Sequence, residues 1–143
     1  MKRNIFLNEV TDCCTVAGLD IYQQSSLPSS SNTNHGWIDM NGKYQDSVDV
    51  VLVTDMICRP DDAVAAAITL AACLTPGGIA YSICPRAKHR FGVDYLVQEC
   101  HRVGLVVIMT PIQDLSQSDL DQTSGYSKGM NHDFYSIHKP SCW

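Results

Sequence analysis

The stretch from Val48 to Gly78 constrains the fold more than any other part of the chain. It opens with Val50-Val51-Leu52-Val53, an apolar run without alternation and rich in β-branched residues. Such a run predicts a strand buried on both faces, as in a parallel sheet. Thr54-Asp55 ends it, placing polar atoms at the strand's carboxyl end, the edge where open α/β sheets bind their ligands. Arg59-Pro60-Asp61-Asp62 predicts a helix start, because Pro suits the first helical position and carboxylates in the first turn complement the helix dipole. Val64, Ala67, Ile68, Ala71 and Leu74 continue at helical spacing, and the many alanines let this helix lie close to a sheet. Pro76-Gly77-Gly78 is expected to stop the helix, with Ile79-Ala80-Tyr81-Ser82-Ile83 as the next strand. Strand, helix and strand make a βαβ unit, hence parallel strands with a right-handed crossover.

A chain of 143 residues suffices for one domain around one core. Its net charge of -5, with no basic cluster, argues against a nucleic-acid footprint. The longest apolar stretch, Ala63 to Leu74, is too short to span a bilayer. No secretory signal precedes the first structured segment, so the expected location is cytoplasmic, with the nucleus as an alternative. The seven cysteines show no C-x-x-C spacing, and the five histidines show no paired metal-ligand spacing. No metal site is expected. Most cysteines fall inside apolar elements and read as small buried hydrophobes in a reducing compartment.

Taken in order, residues 1–9 read as the end of a helix and 12–17 as a connector. Gly18 to Tyr22 reads as the beginning of a weak strand. Residues 25–34 form a polar, low-complexity loop that cannot bury enough apolar surface to order itself. Trp37 and Ile38 are candidate strand residues, and Asn41-Gly42 is a turn signal. After the βαβ unit comes a basic loop with Arg86, Lys88, His89 and Arg90. Phe91, Tyr95, Leu96, Cys100 and Val103 then mark an amphipathic helix, with His101-Arg102 in its last turn and Gly104 as its stop. Leu105 to Met109 reads as a buried strand, residues 110–133 as a long loop, and Phe134 to His138 as a last strand. With no helix between them, those two strands should be antiparallel.

The order strand, helix, strand, helix, strand, long loop, strand resembles the C-terminal half of a class I S-adenosyl-L-methionine (SAM)-dependent methyltransferase. Asp55-Met56-Ile57-Cys58-Arg59-Pro60 is similar to the acidic-x-x-aromatic-x-Pro signature after the fourth strand of methyltransferase-like protein-lysine methyltransferases. Leu74 to Gly78 resembles the turn before their fifth strand, and Glu99 to Val106 their last helix and sixth strand. Lys2 to Asn8 resembles the helix after their second strand, and Ile38-Asp39-Met40-Asn41 falls where Leu-Asp-Trp-Gly is common. The resemblance covers nearly the whole chain but about half of that fold. It implies an α/β, partial Rossmann-like sheet, mostly parallel with an antiparallel last strand and flanked by helices, forming a single incomplete domain over residues 1–143.

In that family, the residue matching Asp55 positions the substrate amine, and the alternative for Asp55 here is a strand-end acid capping the turn before Pro60. Thr54 would touch the cofactor through its backbone or hydroxyl, or else simply ends the strand. Trp37 would stack on adenine or fill the core. Asp39 would hold polar cofactor atoms or sit solvated in a turn. Two departures stand beside these matches. The family's first strand and glycine-rich loop have no counterpart, and Cys58 replaces the motif's aromatic residue. Pairing of Cys58 with a histidine as a thiol nucleophile has no sequence support. The fourth strand would pair with that missing first strand, so Val50 to Val53 is expected to be an apolar free edge open to self-association. A truncated gene product or incomplete gene model is the reading that follows.

The resemblance thus implies a SAM-dependent methyltransferase of the protein-lysine type, acting on a protein partner. The rival is a non-catalytic interaction module built on the same fold. A third reading, a fragment of a nicotinamide-dependent dehydrogenase, fits the terminal loop-then-strand pattern less well.

Overall fold

The computed structural model describes residues 5, 7–14, 21–22, 45–85, 91–112 and 132–141. Six elements follow one another within them: β1 (Val48–Thr54), α1 (Pro60–Cys73), β2 (Leu74–Pro85), α2 (Val93–Arg102), β3 (Val106–Pro111) and β4 (His132–His138). The strands form one open mixed sheet in the order β1-β2-β4-β3. β1 and β2 are parallel, as a strand–helix–strand unit requires. β4 inserts between β2 and β3 and is antiparallel to both. The architecture is α/β with an antiparallel last strand.

α1 begins where its sequence signals place it. Arg59 is the N-cap in an extended conformation, Pro60 takes the first helical position, and Asp61 and Asp62 occupy the first turn. Its small side chains let Ala63, Ala65, Ala66, Ala67, Leu70 and Ala72 all be buried. The last turn holds no basic residue, so the C-terminal carbonyls are satisfied from elsewhere. Lys139 Nζ donates to the Ala71 carbonyl at 2.6 Å, and the Asp46 and Ser47 amides donate to the Ala72 and Cys73 carbonyls at 2.9 and 3.0 Å.

α2 buries Val93, Leu96 and Cys100. It ends in a Schellman motif: the Gly104 amide donates to the His101 carbonyl at 3.0 Å and the Leu105 amide to the Cys100 carbonyl at 2.9 Å. Gly104 carries the required left-handed φ of 81°. Phe91 and Tyr95 lie outside this core face, 79% and 45% exposed, contrary to the expected apolar stripe. Phe91 precedes the helix, and Tyr95 is turned away from the Val93–Leu96–Cys100 stripe.

Both helices pack on one face of the sheet. The core joins Ala63, Ala66, Ala67 and Leu70 of α1 and Leu96 and Cys100 of α2 to Val53, Ala80, Tyr135 and Ile137 of the strands. The strand register places three rows on the opposite face: Val50, Ile79, His138 and Val106; Leu52, Tyr81, Ser136 and Ile108; Thr54, Ile83, Phe134 and Thr110. Val50 is 54% and Leu52 75% exposed. The expectation of a strand buried on both faces is therefore overturned. β1 alternates, because helices cover one face alone among the described residues.

Other boundaries shift as well. β2 begins at Leu74, so Pro76-Gly77-Gly78 lies inside the strand, as an irregularity in pairing between Val48 and Val50, rather than ending the helix. β3 is an edge strand with Val106, Ile108 and Met109 about half exposed, not a buried one. The expected 110–133 loop loses Thr110 and Pro111 to β3 and His132 and Asp133 to β4. Tyr22 is helical rather than extended. Ile5 and Leu7 are helical and lead into a turn at Asn8 and Glu9, matching the expected helix end. The 25–34 segment lies outside the described residues. No helix among the described residues is long and apolar enough to cross a membrane.

Candidate functional site

The carboxyl end of β1 gathers the chemistry the sequence singled out. Thr54 pairs with Ile83 on β2 and faces the open side of the sheet. Asp55 follows with φ 54°, a left-handed conformation uncommon for a residue with a side chain. Aspartate tolerates it better than most residues, yet it is a departure of the kind that collects at functional sites. The Asp55 amide still donates to the Ile83 carbonyl at 3.4 Å, so the residue leaves the sheet at its last ladder position. Ile57, 1% exposed, anchors the segment that follows in the core. The carboxylate-bearing turn is thus held from both ends.

Beside Thr54 lies an open apolar groove of about 360 Å³, lined by Leu52, Thr54, Tyr81, Ile83 and Phe134. Tyr81 and Phe134 stack across β2 and β4 with ring centroids 5.7 Å apart. The sequence reading did not find this aromatic wall. Its only trace there is period-two alternation in two segments far apart in the chain, and the sheet register alone brings them together.

Behind the turn, Asp62 fixes the start of α1. One carboxylate oxygen accepts from the Cys58 amide at 2.8 Å and the Arg59 amide at 2.7 Å, and the other accepts from the Tyr22 hydroxyl. This is the carboxylate half of a capping box, legible as an acid three residues after the N-cap. Burial pushes the Asp62 carboxyl up, but the Tyr22 hydroxyl, the Arg59 and Cys58 amides and the Arg59 charge outweigh it and hold the group below the usual carboxylate range. The Tyr22 hydroxyl is pushed up in return, chiefly by this carboxylate.

α2 starts against the same turn. The Gly92 amide donates to the Cys58 carbonyl at 3.1 Å. Gly92 is buried and has φ -71°, so close approach rather than backbone freedom demands glycine there. Two helix N-termini therefore open toward one edge, where partial positive charge favours anionic groups. No local sequence signal marks Gly92, because the contact that demands glycine comes from Arg59, distant in the chain.

The structure brings Thr54 and Asp55 to one place. Trp37 and Asp39, the other two candidates, lie outside the described residues, as does the basic loop of residues 86–90. Cys58 is exposed, and His101 sits at the far end of α2 from it. The cysteines divide: Cys73, Cys84 and Cys100 are buried, but Cys13, Cys14 and Cys58 are exposed, so the expectation of buried thiols holds for only half of those described. Among the described residues, no group of three or more histidines, cysteines or acids is placed to hold a metal.

No protein-family model matches the chain, and no curated protein is significantly similar to it.

Proposed function

We propose that the chain carries the acceptor side of a class I SAM-dependent methyltransferase site, of the type that methylates protein lysines. The observation that carries this reading is Asp55, held left-handed at the carboxyl end of β1, where open α/β sheets bind ligands. The parallel β1–β2 pair and the antiparallel last strand support it, as does the resemblance of residues 55–60 to the family's signature.

The fit to the cofactor is partial. Thr54 and the Tyr81–Phe134 wall offer a hydroxyl and an apolar surface beside Asp55, whereas the sequence contains no G-x-G for close approach to the cofactor. SAM, when bound, would supply an electrophilic methyl group. The role of this chain's residues is orientation. The exposed Asp55 carboxylate would hold the incoming lysine ammonium at the mouth while its proton passes to solvent, leaving the nitrogen lone pair aimed inward.

Calorimetric titration of the chain with S-adenosylhomocysteine, with circular dichroism on the same sample, tests this reading. Saturable binding by folded protein is expected. A folded chain that takes up none would overturn it. The open apolar rows of the sheet favour a second reading, a non-catalytic interaction module, which would stand in that event.

A further inference from the structure

We infer that two copies of this chain pair through β1, edge to edge and antiparallel about a two-fold axis at Val51, into one continuous eight-stranded sheet. The inference is independent of the methyltransferase reading. Among the described residues, no strand pairs with the outer edge of β1, which ends the sheet order. The Asp55 amide bonds inward to Ile83, so by strand alternation the odd-numbered residues of β1 bond to β2. The N–H and C=O groups of Val50, Leu52 and Thr54 then point outward.

Edge strands that stay single carry lysines, prolines, bulges or inward-pointing charges. From Val50 to Thr54 there is no charge and no proline, and the irregular pairing lies before Val50. Val50 and Leu52 expose their side chains on the open face beside that edge.

The chemistry of the edge fits a copy of itself and selects the register. With the axis at Val51, Val50 exchanges both backbone bonds with the second copy's Leu52, and Leu52 with its Val50. The two exposed apolar side chains then lie side by side. Asp49 falls opposite Val53 of the other copy. Moving the axis to Leu52 would set Val50 against Thr54 of the other copy and lose the apolar Val50–Leu52 pair. The two-fold closes, so the assembly stops at two.

Sedimentation velocity on the full chain over a concentration series tests the inference, together with residue-resolved hydrogen exchange. The expected result is a concentration-dependent dimer whose Val50, Leu52 and Thr54 amides gain protection as the dimer forms. Leu52→Pro removes an outward donor and no β1–β2 bond, and should give a folded monomer. If that variant fails to fold, Leu52→Lys, at a side chain already 75% exposed, should give the same monomer through charge repulsion across the axis. A wild-type monomer at every concentration, open-ended aggregates, or a dimer that survives a folded Leu52 variant would each overturn the inference.

Discussion

The Cβ position of Gly92 lies 2.2 Å from the carbonyl oxygen of Arg59, closer than any side-chain carbon can stand to another atom. The atoms it would meet are backbone, so nothing flexible can move aside. The start of α2 and the start of α1 are in this way locked together, and the Asp55 turn is held in front of them.

Gly92→Ala should therefore cost about 3 kcal/mol, the upper end of the usual range for overpacking, because this close contact cannot relax. Urea unfolding would show a lower midpoint with little change in slope. Unchanged stability would mean that the two helix starts are not in contact.

Asp62→Ala should cost about 1–2 kcal/mol, because it strips the carboxylate from two amides at a helix start. Asp62→Asn separates charge from shape. The folded carboxyl ionises more readily than the unfolded one, which titrates near pH 3.9. Its stabilisation is fully present above the unfolded value and is lost as the pH falls through the lower folded value. Wild-type unfolding midpoints should drop across that acid window more steeply than those of Asp62→Asn.

Asp55→Gly should raise stability by up to about 1 kcal/mol, because glycine occupies the left-handed region without penalty. On the proposed methyltransferase reading, the same change should leave S-adenosylhomocysteine binding intact and abolish transfer of labelled methyl groups to a mixture of lysine-containing proteins. Lower stability with transfer retained would make Asp55 a structural cap.

A thiol reagent should modify Cys13, Cys14 and Cys58 rapidly in the native protein, and Cys73, Cys84 and Cys100 only on unfolding. Burial, with a smaller contribution from the Glu99 charge, pushes Cys100 up to about 12, so its thiolate is scarce as well as covered. Because its folded pKa lies above the unfolded one, stability should be unaffected by this group at neutral pH. It should fall as the pH rises through the unfolded thiol range near 8.5 toward the folded value. Mass spectrometry of timed labelling across pH would check both points.

The local signals read well. Arg59-Pro60-Asp61-Asp62 placed the start of α1, and Gly104 placed the end of α2, because caps depend on a few adjacent residues. Thr54 and Asp55 were legible as a strand end for the same reason. What failed depends on neighbours distant in sequence. An apolar run such as Val50 to Val53 does not say which of its faces a helix will cover. Pro76-Gly77-Gly78 looked like a helix stop, but the C-terminal carbonyls of α1 had partners at Asp46, Ser47 and Lys139, so the helix needed no glycine to end. The Gly92–Arg59 contact and the Tyr81–Phe134 stack arise only when the sheet and helices assemble.

The place of β4 in the sheet has a consequence during synthesis. β3 leaves the ribosome before β4, and among the described residues β4 is its only strand partner. Until His132 to His138 emerge, β3 hangs without ladder bonds and β2 is paired on one side alone. The four described strands can close into one sheet only once β4 arrives, so its pairing with β2, of long sequence separation, comes last among them.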